Sequence, residues 1–238
     1  MNTQVGFERC LTFINCQLQP GAVAARARGA NGRLAITLSR QTGAGGLRVA
    51  SRLAEYLESR AQTGGCPWTV FDKNLTEKVL EDHHLPKKLA QFLPEDQRSM
   101  IDEMMEELLG LHPPSWTLVH QMTETILRLA EVGNVVLVGR GATVITARMP
   151  NVFHARLVGS LERRLERVQE RYHLERTAAL DFLGKEERGR QRYVRKYFGV
   201  ELDDPQLYHL VINTDRITCE DAAGLIAEAA LRVIAPDG

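Results

Sequence analysis

The sequence predicts an α/β protein, a five-stranded parallel sheet flanked by helices. Three observations carry this. From residue 33 onward, short apolar runs alternate with stretches of helical periodicity, as when helices connect parallel strands. Val135-Val136-Leu137-Val138 is apolar without alternation, as strands covered on both faces are. A glycine-rich bend, Gly43-Ala44-Gly45-Gly46, joins the first apolar run to the first helical one.

Residues 1–32 stand apart. Small residues dominate their second half, which predicts a mobile extension with a short helix near Phe7 to Ile14. Strand one is expected from Arg33 to Leu38, and the following helix from Gly45 to Arg60, with Val49, Leu53 and Leu57 on one face. Strand two is short, Trp68 to Phe71, and ends at Asp72. Residues 73–132 read as helical, broken at Pro86, Pro94 and Pro113-Pro114. Strand three runs from Asn134 to Val138 and strand four from Val152 to Val158. A helix from Leu161 to Tyr172 and a basic helical segment over 175–200 follow. Strand five (Tyr208 to Asn213) and a closing helix (Glu220 to Ile234) complete the domain over residues 33–238.

Lys and Arg total 30 and Asp and Glu 30, a formal net charge of +0, so no whole-molecule field draws the chain to nucleic acid or an acidic membrane. The four cysteines lack paired metal spacing and are expected to be buried or incidental thiols in a reducing compartment. No apolar run reaches the ~20 residues that span a bilayer, and Glu8 and Arg9 interrupt the only apolar stretch near the start. A cytoplasmic protein with neither membrane nor nucleic-acid partner is expected. Adjacent histidines, His83 and His84, point to different helix faces with no third ligand in zinc spacing, so no metal site is assigned.

In such sheets ligands bind beyond the carboxyl ends of the strands, and three constellations fall at that edge or beside it. The first is Ser39-Arg40-Gln41-Thr42-Gly43-Ala44-Gly45-Gly46-Leu47-Arg48. A strand, a glycine-rich bend and a helix start gather free backbone N–H groups and the positive end of the helix dipole, which suits phosphate. In the G-x-x-x-x-G-K-[ST] pattern, Gly46 stands where the lysine belongs, and the magnesium-binding Ser/Thr is missing as well. The segment is a phosphate loop with altered chemistry or a decayed one. Arg40 either contacts phosphate or pairs with an acid beside the loop. The second is Gly139-Arg140-Gly141-Ala142, where an arginine leaves the most apolar strand placed to fork onto phosphate or carboxylate. The third is a basic stripe of Lys185, Arg188, Arg192, Arg195 and Lys196 at helical spacing. Such a stripe serves a membrane surface, nucleic acid or a lid closing on polyphosphate; zero net charge and the phosphate-loop-like bend favour the lid. Arg163, Arg167 and Arg171 form a further row four residues apart, whose mutual repulsion an anion would relieve.

Taken together and in this order, the constellations resemble the cytidylate kinase-like family of nucleoside monophosphate kinases. Ile36 to Gly46 is similar to its ISRxxGSGG signature, Phe71-Asp72-Lys73 to its YDK, and Val138-Gly139-Arg140-Gly141-Ala142 to its VGRGA. Ser160 to Arg164 with Arg167 and Arg171 resembles the helix before its lid, Glu187 to Arg192 the lid's spaced arginines, and Leu210 to Thr214 the closing strand.

The resemblance implies a P-loop NTPase fold with a helical acceptor-binding subdomain at 73–132 and a lid at 175–200. It implies transfer of the ATP γ-phosphate to cytidylate or a related monophosphate. Residues 39–48 would bind ATP. Asp72, Arg140, Arg163 and Arg167 would bind the acceptor, and Arg188 and Arg192, with Arg140, would neutralise the transferring group. Mg2+ is expected with ATP, its ligands unassigned. The arginine that the family often carries after Gly-Gly is Leu47 here, with Arg48 one place later. These departures favour, as the rival reading, a nucleotide-binding regulator that kept the fold and lost turnover.

Overall fold

The computed structural model describes residues 12–13, 15–16, 34–60, 66–72 and 117–234. Five strands form one parallel sheet in the order β2-β3-β1-β4-β5: β1 Ala35–Arg40, β2 Thr69–Phe71, β3 Val135–Val138, β4 Val152–Val158 and β5 Leu210–Asn213. The helices are α1 Gly46–Arg60, α2 Thr117–Val132, α3 Ala142–Ile145, α4 Leu161–Tyr172, α5 Arg176–Phe198 and α6 Cys219–Val233.

Side chains alternate across the sheet as the two-residue strand period requires. Ile36, Leu38, Val136 and Val138 join the core beneath α1 and α6, with Leu53, Leu57, Ile226 and Ala230. Ala35, Val135 and Leu137 face the other side, with Ile126, Leu127 and Ile145 from α2 and α3. Thr37 points to that second side and is fully buried; its hydroxyl meets Thr143 Oγ1 at 3.1 Å and His154 Nδ1 at 2.8 Å. A smaller cluster of Leu165, Val168, Ala179 and Leu183 joins α4 to α5.

Three differences from the sequence reading have physical causes. β1 runs on through Ser39 and Arg40, because these residues pair with Arg156 and Leu157 of β4; the start of the glycine-rich segment is therefore rigid strand. Cys16 and Cys66 form a disulfide with Cα atoms 5.6 Å apart, rather than free thiols. Their separation of 50 residues along the chain hid a proximity that only folding creates. Cys219 is the free cysteine among the described residues. At its described positions the N-terminal segment is anchored: Phe13 is fully buried and meets the Phe71 ring edge-on at 5.8 Å.

Of the 73–132 segment expected to hold the acceptor-binding subdomain, the described part is α2, which covers the sheet. His83 and His84 lie outside the described residues. No helix among the described residues is long and apolar enough to cross a membrane.

Candidate active site

The bend after β1 is braced from three sides. Gln41 donates its backbone N–H to Leu157 O at 3.0 Å, and its side-chain oxygen accepts from Gly159 N at 3.0 Å. Gly43 and Gly45 both adopt φ 80°. From α4, buried Arg164 donates to Gly159 O at 3.0 Å, to Thr42 O at 3.3 Å and to Glu187. Arg167 donates to Gly43 O at 3.3 Å and to Thr214 O at 2.7 Å, tying the bend to the end of β5. The first bond of the α1 ladder runs from Val49 N to Gly45 O at 3.0 Å. The N–H groups of Gly46, Leu47 and Arg48 thus precede the ladder, at the positive end of a helix dipole.

At the exit of β3, Gly139, Arg140 and Gly141 take φ 84°, 55° and 73° in succession. For Arg140 this left-handed conformation costs about 1–2 kcal/mol, strain of a kind that gathers at functional sites. A cleft of about 290 Å³ is lined by Ser39 and Arg40, by this turn, and by Lys185, Glu186, Gly189, Arg190 and Tyr193 of α5. Burial pushes the Arg40 pKa down to about 10; Arg190 and Arg140 act in the same direction, while Asp72 and Glu186 oppose it. Arg190 is also lowered by burial, against the pull of Glu186 and Glu187, and donates to the Thr42 hydroxyl. Burial raises the Tyr193 hydroxyl. The result is a small, half-enclosed cleft rich in guanidinium groups, able to hold anions.

The predicted residues divide. Ser39, Arg40 and Arg140 line the cleft. Arg188 and Arg192 do not; both are exposed and share an outer surface with Gln191 and Arg195. The face of α5 turned to the protein carries Ala179, Leu183 and Val194, and Glu187 and Arg190 continue that stripe at helical spacing. Arg48 pairs with Glu220 at 3.1 Å on α6, and Leu47 packs at the edge of the core. Arg163 is exposed and pairs with Glu166 at 3.1 Å, while Arg167 braces the bend. Asp72 lies outside the cleft lining but acts on Arg40.

Sequence reasoning left Arg190, Glu187, Arg164 and Arg156 without roles. Arg156 stands within an otherwise largely apolar strand, a signal the sequence carried; helical spacing singled out none of the other three. Arg156, buried in β4, donates to Ser39 Oγ at 2.8 Å and pairs with Asp203. Among the described residues no group of three or more His, Cys, Asp or Glu could hold a metal.

The family model described as the cytidylate kinase-like family matches residues 35–216, a span that takes in the bend, the β3 turn and all of α5. The chain belongs to the cytidylate kinase-like family. Within it, a cytidylate kinase of Methanocaldococcus jannaschii is 23% identical over 172 residues, covering 70% of this chain and 94% of the archaeal one. A solved structure of an uncharacterized protein from Eubacterium ventriosum superposes with TM-score 0.56 at 20% identity, covering 83% of this chain and 98% of that one; this likeness shows the fold. Membership of the cytidylate kinase-like family supports a nucleoside monophosphate kinase-like role.

Proposed function

We propose that the protein transfers the γ-phosphoryl group of ATP to a nucleoside monophosphate, with cytidylate or deoxycytidylate the first candidates on the strength of the family and the archaeal relative. The observation that carries the reading is that Ser39 and Arg40, the end of β1 that leads into the glycine-rich bend, and the Arg140 turn line one cleft. A strand end that leads into a bend of free N–H groups, set beside a second anion-binding turn, suits in-line transfer between two phosphates. An oxygen of the acceptor phosphate attacks the γ-phosphorus, the bond from phosphorus to the β,γ-bridging oxygen breaks, and ADP leaves.

Little covalent work falls to the protein; it positions the two phosphates and neutralises charge. In this reading the N–H groups of Gly46 to Arg48 hold donor phosphates and Arg140 forks onto the acceptor phosphate. Arg190, rather than Arg188 or Arg192, is the lid arginine assigned to the chemistry, because it lies in the cleft wall and donates to the Thr42 hydroxyl. Mg2+ enters as the counter-ion of ATP, and no step assigned to these residues runs through it.

The test is calorimetric titration of ATP and of each monophosphate into wild type, Arg140→Ala and Arg140→Lys, followed by product detection. Two charge-assisted bonds at ~1.5–3 kcal/mol each make a loss of monophosphate affinity of about a hundredfold or more the expected result for Arg140→Ala, with ATP binding nearly intact. Lysine should recover only part, because a point charge cannot replace the planar fork. A wild type that binds ATP but no monophosphate would instead be a nucleotide-binding regulator, the reading that Gly46 and Leu47 favour.

A further inference from the structure

We propose that Arg40 supplies the cation that the missing P-loop lysine would have supplied, reaching the phosphates across the glycine-rich bend instead of from within it. This rests on reading the cleft as a phosphotransferase site and gives Arg40 a specific role in it.

The course of the Arg40 side chain is the evidence. A Cβ added at Gly46, the position of the lysine in the usual pattern, would stand 2.8 Å from Arg40 Cγ and 3.2 Å from Cδ. The stem of Arg40 therefore lies directly over Gly46. Farther along, a Cβ at Gly139 would collide with Arg40 Nη1, so the guanidinium ends against the backbone of the turn that carries Arg140. Any residue larger than glycine at position 46 would push Arg40 out of this path. The glycine is then the space through which another cation is routed, not a worn remnant of the motif.

Arg40 spans the gap between the donor bend and the acceptor turn, where a transferring phosphoryl group would pass. Its anchorage supports this placement: the last residue of β1, it is held in register with Leu157 of β4. Around it stand Arg190 and Arg140, countered by Asp72 and Glu186. A polyphosphate entering this cluster exchanges guanidinium repulsion for charge-assisted bonds, and the planar fork can grip two oxygens where a lysine grips with one point charge.

The experiment uses Arg40→Met, which keeps bulk over Gly46 without the charge, Arg40→Lys, and the double variant Arg40→Ala/Gly46→Lys, which restores the usual lysine in the room that truncation of Arg40 creates. Thermal melts establish that each is folded. Affinities for sodium tripolyphosphate and for ATP are then measured, with transfer assayed at saturating monophosphate. Arg40→Met should weaken tripolyphosphate and ATP by about tenfold or more, the value of one charge-assisted hydrogen bond. Arg40→Lys should recover part of the loss, and so should the double variant, whereas Gly46→Lys alone should bind worse than wild type. Unchanged affinities and turnover in Arg40→Met overturn the proposal and leave the kinase reading standing. A double variant no better than Arg40→Met overturns the equivalence with the lysine. Binding of both polyphosphates through Arg40 with no monophosphate phosphorylated sinks the kinase reading while Arg40 keeps its role.

Discussion

The Glu187 carboxylate accepts a hydrogen bond from the Thr42 backbone N–H at 3.3 Å, placing an anion from α5 on an amide of the glycine-rich bend. The same oxygen accepts from Arg164, so one carboxylate stands between the loop and the guanidinium that braces it. On the proposed function, a phosphate drawn to the same positive environment would share or displace this contact.

Removing the negative charge with the shape kept should therefore help the ligand. Glu187→Gln is expected to tighten ATP binding severalfold, in line with the ~0.5–1.5 kcal/mol of an ordinary hydrogen bond no longer competed for. Isothermal titration decides it. Weaker binding in a folded variant would mean that Glu187 assists the ligand.

Arg190 and Arg192 sit two residues apart on α5 and face different surroundings, the first in the cleft wall and the second exposed. Arg190→Ala should lower transfer by more than about tenfold, as expected when a positioned cation at the developing charge is lost. Arg188→Ala and Arg192→Ala should have clearly smaller effects. Single-turnover rates of the three variants compare them; equal losses would mean that the helix turns on closing to bring the outer arginines inward.

Neighbouring arginines of α4 give a stability contrast. The Arg164 side chain is 8% exposed and pairs with Glu187, whereas that of Arg163 is 64% exposed and pairs with Glu166. Arg164→Ala should cost about 3 kcal/mol, since it strands a partly buried carboxylate and two carbonyl groups. Arg163→Ala should cost under about 1 kcal/mol. Urea unfolding of both variants tests the difference; similar midpoints would show that the brace carries no load.

His154 lies buried between Thr37 and the His209 ring, which stacks on it at 5.1 Å. Burial, and secondarily His209, push its pKa down to about 4 from 6.5. The unfolded chain then binds a proton that the folded chain refuses, so stability is full above pH 6.5 and falls as the pH drops toward 4. A shift of this size corresponds to about 3 kcal/mol, and His209, also lowered by burial, adds in the same direction. Denaturant midpoints across this window should decline for wild type and decline less for His154→Asn. Parallel profiles would assign the acid sensitivity to other groups.

The sequence by itself determined the sheet, because unbroken apolar runs such as Val135 to Val138 can be satisfied only by burial on both faces, and helical spacing between them leaves few ways to connect. It also placed Gly43 to Gly46 and the Gly139-Arg140-Gly141 turn at strand exits, the edge of such sheets where ligands bind. It was silent on which charged side chains turn inward. A 3.6-residue period groups Arg188 with Arg192 and Glu187 with Arg190 equally well, and only the docking of α5 through Leu183 and Val194 chose the second pair. The meaning of Gly46 was hidden for a related reason: its neighbour Arg40 is six positions earlier in the chain, and the crossing of one over the other exists only once the bend has folded back on the end of β1. The joining of Cys16 to Cys66 likewise depends on a proximity that composition and spacing do not encode.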